Sequence, residues 1–515
     1  MKLLRTFTLY FILLWLAGCA VNPVTGKNEL SLVSEQQELA IGAQQYDPAR
    51  QSQGGDYNAD PALTAYVNEV GQKLAKVSDR KLPYEFKVLN NSVPNAWALP
   101  GGKISINRGL LTELKSEAEL AAVLGHEIVH AAARHGAQSM SKSMLLQVGV
   151  AGAAIATQGT NYADLAQMGV GVGAQLISQK YGRDAERESD HYGMIYMARA
   201  GYDPQGAVDL QRTFVKLSEG QKSDWLNGLF ASHPPSPERV ENNQQMLTQL
   251  PAGGDMGVER YRQKTAHLSQ TLAAYAAYDQ GRAALAKDDL AGARQRAQQA
   301  IAAEPKEALF YGLLGDVEQK NQQLQAALAQ YDTATRLNPD FFYFYLQRGQ
   351  VYAQLNRAAP AQTDLKRSVE LLPTADAYNS LGDLAKKAGR LEEAKEYYAK
   401  VAGSQGELGQ QAYTSLVDLD LNDNPGKYLQ VKTGIDPQGK IVAQLANPTP
   451  RNVGNIDLLI QFQESATRTQ RLKLTLNGIL AAGSQQVYDL GLSGKLSQAQ
   501  LNSLQVAVIA ARVIR

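Results

Sequence analysis

The stretch LAAVLGHEIVHAAARHG, residues 120–136, determines the chemistry predicted for this chain. The segment 117–135 has helix-forming composition throughout, which predicts one helix in which His126 and His130 are four residues apart. At that spacing two imidazoles lie on one face of a helix and can chelate a single metal ion. Small and apolar residues surround the pair, so the rings are expected against a tightly packed helix. A chance match on a solvated surface helix is the alternative, and this context disfavours it.

Glu127 directly follows the first histidine, which directs its carboxylate to the space beside the metal. Zinc lowers the pKa of a bound water to about 7 in such sites. A carboxylate within reach can take the proton of that water and pass it to a leaving amine. The motif therefore predicts one Zn²⁺ per chain, with Glu127 as the general base for hydrolysis of a peptide bond.

A third protein ligand is required, because catalytic zinc usually has three and keeps one position open. Glycine at position 133 and histidine at 136 would indicate a metzincin, but the residues are Ala133 and Gly136, and His135 is one residue out of register. Glu186 is a better candidate. It precedes Asp190 by four residues in a helical segment, so the two share a face. We predict that Glu186 ligates the metal and that Asp190 accepts a hydrogen bond from a ligating imidazole.

Alternatives remain open for the segment that carries Glu186. Arg183 and Arg187 could pair with its acidic residues on a solvated face, although the upstream histidine pair disfavours this. His191 is a reserve ligand if Glu186 is not one. His191 and His267 have no motif support of their own and are expected at the surface or in packing.

Together with two flanking motifs, these residues resemble the HtpX and CAAX-prenyl-protease-like family of zinc peptidases. The flanking motifs are NAWALPGG at 95–102 and AGYDP at 200–204, and the resemblance covers roughly residues 60–250. It implies a mainly α, zincin-type (α+β) domain. It also implies that Asn95, Ala96, Trp97 and Ala98 form an edge strand, to which an extended substrate adds as a further strand. Trp97 would either line the cleft or fill the core.

His233, in the segment His233-Pro234-Pro235 with Arg239 following, also matches a pattern of this family. It could stabilise the oxyanion of the tetrahedral intermediate. It could instead act as a fourth ligand that keeps the resting enzyme inactive until its loop moves. A plain loop-anchoring hydrogen bond is the third alternative.

The N-terminus has the pattern of a secretory signal peptide in residues 1–18, with Lys2 and Arg5 before an apolar run at 7–16. The residues before Cys19, the single cysteine, resemble a bacterial lipobox, which implies that the thiol is acylated. Ala20 after it suggests the outer membrane. An ordinary cleaved signal with an incidental thiol is the alternative. Residues 19–55 are polar and turn-rich and are predicted to be a tether.

A repeat of 34 residues is the clearest organisational signal, in Gly281, Gly315 and Gly349 and again in Pro305, Pro339 and Pro373. Small residues follow the glycines by twelve, at Ala293, Ala327 and Ala361. The pattern resembles the tetratricopeptide repeat, with proline ending the second helix of each unit. A fourth unit around Gly382, Ala394 and Tyr398 is irregular. We expect an α-solenoid over residues 265–410.

The chain beyond residue 424 changes to short strand-like runs between Gly, Asn and Pro turns, which predicts a small β-sandwich over residues 425–515. The runs are at 428–431, 441–445, 456–462, 472–476 and 504–514. Strands are also predicted at 84–89 and 103–107. An Ala/Gly-rich stretch at 144–177 predicts a buried or interfacial helix pair, or else a lid.

The multidomain fold expected is thus a zinc metallopeptidase domain at 56–255, the solenoid and the sandwich. The 51 Lys and Arg against 50 Asp and Glu exclude a strongly basic chain, so nucleic acid is not an implied partner. Unfolded or misassembled envelope proteins are the expected substrates, in a periplasmic enzyme anchored to the membrane by its N-terminal lipid. The repeats would bring clients or outer-membrane assembly machinery near the cleft. The rival hypotheses are a non-catalytic chaperone or adaptor acting through the repeats, and a structural zinc protein, in which only His233 could close the site.

Overall fold

A computed structural model describes residues 19–151, 181–220, 232–465, 467–492 and 494–514. The chain divides into two units, one up to residue 351 with 370–372 and the other comprising 352–369 and 373–515. The predicted signal peptide lies outside the described residues, and so does most of the Ala/Gly-rich stretch, from 152 onwards. No helix in the described ranges is both long enough and apolar enough to span a bilayer.

A three-stranded sheet lies in the core of the first unit. Its strands are β3 Glu85–Leu89, β4 Ala96–Leu99 and β5 Lys103–Asn107. Their order is β3-β5-β4, with β3 parallel and β4 antiparallel to β5. The β4–β5 turn needs two residues at positive φ, which Gly101 and Gly102 supply at 78° and 82°. Strand β4 therefore forms one edge of this sheet.

Nine helices among the described residues accompany the sheet: α1 Glu35–Ser52, α2 Pro61–Ala75, α3 Arg108–Leu111, α4 Glu117–Ala132, α5 His135–Ala151, α6 Arg183–Arg199, α7 Gln205–Gly220, α8 Pro237–Leu247 and α9 Val258–Lys264. Every residue of α4 is buried, because α2, α6, α7 and β4 pack around it. The Ser116 side chain accepts a hydrogen bond from the backbone N–H of Glu119 and caps the N-terminus of α4. This central helix carries the histidine motif.

The helix predicted over 117–135 is interrupted. Helix α4 ends at Ala132, Arg134 adopts a left-handed conformation with φ 64°, and a new helix begins at His135. The composition is helical throughout, so the break depends on tertiary contacts. The Arg134 guanidinium donates to Glu38 Oε2 at 2.9 Å and to the Val33 carbonyl at 2.7 Å.

The prediction of a tether at 19–55 is wrong. This segment forms a hairpin, β1 Cys19–Val21 with β2 Asn28–Leu30, and then the 18-residue helix α1. Glu38 of α1 is 1% exposed and pairs with Arg80 and Arg134, while the Tyr46 hydroxyl donates to the Ile104 carbonyl at 2.6 Å. Helix α1 is held by these buried polar contacts together with an apolar cluster that joins Tyr46 and Ala49 to the sheet. A hydropathy pattern cannot reveal the polar contacts.

The repeats consist of successive α-helices. Their helices are α10 Ala266–Ala286, α11 Leu290–Ala303, α12 Ala308–Lys320, α13 Leu324–Leu337, α14 Phe342–Gln354, α15 Ala358–Leu371, α16 Ala375–Lys387, α17 Leu391–Val401 and α18 Glu407–Asp420. A methyl group at Gly315 would lie 2.6 Å from the Tyr331 ring, and one at Gly382 would lie 2.7 Å from the Tyr398 ring. At these two positions glycine makes room for the aromatic ring sixteen residues later, whereas at Gly281 the nearest atom belongs to Leu313, at 2.8 Å.

The C-terminal region of the second unit begins with a short helix, α19 Pro425–Tyr428, where the sequence predicts the start of a strand. Two antiparallel sheets follow, ordered β10-β7-β6 and β11-β8-β9. The strands are β6 Gln430–Ile435, β7 Ile441–Ala446, β8 Asn452–Ser465, β9 Arg468–Leu480, β10 Gln485–Asp489 and β11 Gln505–Ile514, with helix α20 Gln498–Asn502 before the last. Strand β10 is not predicted from the sequence. Buried side chains of both sheets form one hydrophobic core, as in a sandwich.

Replacing Glu38 with alanine should destabilise the first unit, because Arg80 and Arg134 would stay buried without their shared carboxylate. The expected loss is about 3–5 kcal/mol. Urea unfolding followed by tryptophan fluorescence measures it, since Trp97 and Trp225 both precede residue 351. The matched control is Glu35→Ala. Glu35 also pairs with Arg80 but its side chain is 65% exposed, so that loss should stay below about 1 kcal/mol. Equal effects of the two substitutions would contradict the buried clamp.

Candidate metal centre

Four buried side chains converge in the first unit: His126, His130, Glu186 and His233. Helix α4 presents the two histidines of the motif, helix α6 presents Glu186 from its first turn, and His233 comes from the segment that precedes α8. One ligand atom from each of the four lies within 4.8 Å of the others. The structure thus brings together all three predicted metal ligands and the possible fourth.

The spacing of these atoms suits ligands of one ion. The two Nε2 atoms of His126 and His130 are 3.0 Å apart, and they lie 3.5 and 3.4 Å from the nearer carboxylate oxygens of Glu186. Zinc–nitrogen bonds of about 2.0–2.1 Å at tetrahedral angles place neighbouring ligands roughly 3.3 Å apart. Imidazole nitrogens with a carboxylate oxygen are also a donor set that zinc accepts. The residues present therefore fit a single divalent cation.

Glu127, the predicted base, is 2% exposed and borders this group. Its Oε1 lies 3.7 Å from Nε2 of His233, while its Oε2 is buried and has no hydrogen-bond partner among the described residues. Burial raises the pKa of Glu127 above its usual value, although His233 and His126 oppose the shift. A carboxylate with a raised pKa and an unused oxygen is suited to accepting a proton from a reacting water.

Asp190 lies behind His126, as the sequence predicts, and is itself held by an arginine. Its Oδ1 is 3.0 Å from His126 Nδ1, and the Arg239 guanidinium donates to both of its oxygens at 2.7 Å. Burial alone would raise the pKa of Asp190, but Arg239 holds it below the usual value. Asp190 is therefore a charged acceptor that can fix the orientation of the His126 ring.

Neighbouring charges shift the pKa values of the side chains in this group. Burial disfavours a charged His126, but Glu186 and Asp190 outweigh it and raise the pKa of His126 to about 10. Burial lowers the pKa of His130 well below the usual value. Glu186 has a pKa well below normal because His233 and His126 outweigh its burial. Arg239 also contacts Glu186, with Nη1 3.0 Å from Oε2.

His233 Nδ1 lies among the ligand atoms, 2.9 Å from Glu186 Oε1 and 3.3 Å from His126 Nε2. This position matches the alternative of a fourth ligand. The contact with Glu186 is also a hydrogen bond that can anchor the loop, so it agrees equally well with the loop-anchoring alternative. Pro234 and Pro235 follow His233 and lead into helix α8, where Arg239 forms an ion pair with Asp190.

The remaining predicted residues divide between the site and the core. Strand β4 begins at Ala96, so Asn95 lies just before it. Ala96 lines a small cavity of about 30 Å³ beside His126 and Glu127. Trp97 points to the other face and is 3% exposed, with its ring edge-on to Tyr46 at 6.0 Å. Of the two alternatives for Trp97, the structure shows the core.

Two residues that contact His130 are missing from the predicted site. The Tyr181 ring stacks on the His130 ring at 4.1 Å between centroids, and His135 contacts the opposite nitrogen of that ring. Tyr181 adjoins a stretch without a motif, so no sequence signal marks it. His135 is marked only by its place just after the motif. His191 is exposed and is not in the convergent group.

The fold and this donor group define a metallopeptidase of the HExxH type with a glutamate on a second helix. Residues 61–247 match the model of peptidase family M48, and residues 315–356 and 375–406 match tetratricopeptide-repeat models. The chain belongs to peptidase family M48. The resemblance, the metallopeptidase class and the multidomain fold expected from the sequence are thereby confirmed.

Three curated relatives show the extent of the similarity. The metalloprotease YcaL of Escherichia coli (strain K12) is 32% identical over 182 residues, which are 34% of this chain and 69% of that protein. The beta-barrel assembly-enhancing protease of Yersinia pestis is 34% identical over 36% of this chain, which spans only 38% of that relative. The protein of the same name from E. coli (strain K12) is 27% identical over 70% of this chain and 83% of its own length.

Removal of the Glu186 carboxylate should abolish tight metal binding, because the two imidazoles alone leave the ion with too few ligands. We expect Glu186→Ala to lose at least about 100-fold in Zn²⁺ affinity in a chelator competition. Asp184→Ala is the matched control, since Asp184 lies two residues earlier in the same helix and its side chain is fully exposed. Retention of wild-type affinity by Glu186→Ala would remove it from the ligand set.

Proposed function

We propose that this chain is a zinc-dependent endopeptidase of the bacterial periplasm that hydrolyses misfolded or stalled envelope proteins. One observation carries the proposal: the buried carboxylate of Glu127, with an unused oxygen, adjoins the ligand group of His126, His130 and Glu186. A structural zinc protein has no need of a base at that position. The YcaL relative, by its name, is also a metalloprotease.

Each side chain of the site has its own role in the proposed hydrolysis. Bound by His126, His130 and Glu186, a zinc ion supplies Lewis acidity that activates water and polarises a carbonyl. Glu127 takes the proton of the attacking water and passes it to the leaving amine, which its raised pKa favours. In the resting state His233 would complete the donor set, and its loop would have to move before a substrate could bind.

Strand β4 would receive the substrate. Its outer edge is not paired in the described sheet, and its residue Ala96 lines the cavity beside Glu127. An extended peptide added along this edge would run past the metal centre and form main-chain hydrogen bonds, which hold substrates of varied sequence. Unfolded segments can adopt that conformation, whereas folded proteins cannot. The unpaired edge of β4 therefore supports the proposal that the substrates are proteins that have failed to fold.

A cavity of about 690 Å³ lies between the sheet region and the first repeats, within the first unit. Its lining combines apolar residues such as Leu272 and Leu313 with charged ones, among them Arg108, Asp279 and Arg282. Such a mixed lining suits a peptide, which offers apolar side chains as well as unpaired amide groups. We assign recruitment of clients, or of outer-membrane assembly machinery, to this part of the repeats. No nucleic acid is involved.

We infer the location from the lipobox-like residues before Cys19. Cys19 as a lipidated residue would anchor the chain to the outer membrane, on its periplasmic side. Two relatives are named as beta-barrel assembly-enhancing proteases, which supports β-barrel proteins as clients. The rival function is a chaperone or adaptor that acts through the repeats without cleavage.

Glu127→Gln separates the two functions, because it keeps the shape of the side chain and removes the base. We expect casein hydrolysis to fall by at least about 100-fold while zinc content stays at one per chain. The matched control is Glu241→Gln on helix α8, where the carboxylate is exposed. If both client cleavage and envelope function persist in Glu127→Gln, the protease hypothesis fails.

Leu272→Asp tests recruitment through the cavity. Leu272 lines it and is 45% exposed, so the substitution should not disturb folding. A charge in place of an apolar contact should raise KM for an unfolded protein about tenfold and leave a short peptide substrate unaffected. Leu391→Asp is the control, since Leu391 is 46% exposed and does not line the cavity. Equal effects of the two variants would contradict recruitment there.

A further inference from the structure

The His130 ring has its two nitrogens in different surroundings. Nε2 faces the ligand group, 3.4 Å from Glu186 Oε1. Nδ1 faces away from that group and lies 2.9 Å from Nδ1 of His135, whose side chain is almost fully buried. When His130 binds a metal through Nε2, its Nδ1 carries a proton and needs an acceptor. His135 Nδ1 is placed to be that acceptor.

The interruption after α4 creates this contact. In a continuous helix, residues 130 and 135 would lie about 140° apart around the axis and could not face each other. The left-handed conformation of Arg134 turns the chain, so that the first residue of α5 faces back to the last turn of α4. Arg134 is itself held by Glu38. The fold therefore places His135 against His130 by a specific and strained turn.

The second nitrogen of His135 continues the series of contacts. Because Nδ1 accepts, Nε2 carries the proton, and it donates to Glu188 Oε1 at 3.3 Å. The same carboxylate oxygen accepts from the Asn22 side-chain N–H at 3.0 Å. Glu188 lies on α6, two residues after the ligand Glu186.

Asn22 has a fixed orientation, since its Oδ1 accepts from the backbone N–H groups of Val24 and Thr25 at 2.9 and 3.2 Å. Its amide nitrogen must then point to the carboxylates of Glu188 and Glu29. Asn22 is 2% exposed. Every donor in the series from Asn22 to His130 thus meets an acceptor.

We propose that His135 is a positioning residue that holds the His130 imidazole in its metal-binding tautomer and orientation, and that Glu188 and Asn22 hold His135 in turn. The proposal rests on the metal site of the proposed function. It makes the N-terminal hairpin part of the metal centre, on the side opposite to the pair of Asp190 and Arg239. Each histidine ligand is then fixed through its Nδ1, His126 by the carboxylate of Asp190 and His130 by His135.

Three variants of the full-length chain test this role. His135→Phe keeps a ring but removes the acceptor, and Zn²⁺ affinity should fall about 10–100-fold in a chelator competition. His135→Asn places an oxygen near the position of Nδ1 and should recover most of that loss. Asn22→Asp keeps the turn, because its oxygen still accepts from Val24 and Thr25, but it sets a second carboxylate against Glu188; we expect an intermediate loss.

The control is His191→Phe, an exposed histidine on α6 that should leave the affinity unchanged. The visible spectrum of the Co²⁺-substituted protein should change in His135→Phe and return towards that of the wild type in His135→Asn. Zinc binding by His135→Phe within threefold of the wild type would overturn the proposal. So would equal losses in the Phe and Asn variants, or failure of the wild type to bind either ion. A wild type that binds zinc tightly but does not cleave casein would overturn the proposed peptidase function alone.

Discussion

The close crossing of α4 and α6 is the constraint on which the metal centre depends. A methyl group at Gly125 would lie 3.2 Å from the Gly193 carbonyl oxygen, and one at Gly193 would lie 3.2 Å from the His126 backbone nitrogen. Contacts that short leave no space for larger side chains. Since Gly125 precedes the first ligand and Gly193 follows Glu186 by two helical turns, this crossing sets the distance between the imidazoles and the carboxylate.

The second constraint is electrostatic. Several ionisable side chains are buried in one place, and each would be costly there without partners. Arg239 offsets Asp190 and contacts Glu186, while the imidazoles offset the remaining carboxylate charge. Glu127 is the least compensated of them, which is the condition that a base requires. The group therefore combines a compensated set of proposed ligands with one carboxylate free for the proposed role of base.

The convergence of these side chains can be predicted from the sequence because local geometry carries that information. The spacing of His126 and His130, and of Glu186 and Asp190, is set by the helix itself, and the repeats follow from a strict period. Three features were not predicted from the sequence. They are helix α1 within 19–55, the break in the helix before His135, and the contact of His135 with the site. They depend on Glu38, Arg80 and Arg134, whose buried pairing joins segments far apart in the chain. No local pattern encodes such pairing.

The first repeats and the sheet also belong to one unit, and polar contacts join them. Asn90, just after β3, donates to both oxygens of Glu307, which also accepts from the Tyr275 hydroxyl. Arg108, just after β5, donates to Asn90 and stacks on Tyr275. A segment held at the cavity beside these residues would therefore stand at a fixed distance from β4. Tethering of this kind raises the effective concentration of substrate at the edge strand, so weak and sequence-tolerant binding there would suffice for cleavage.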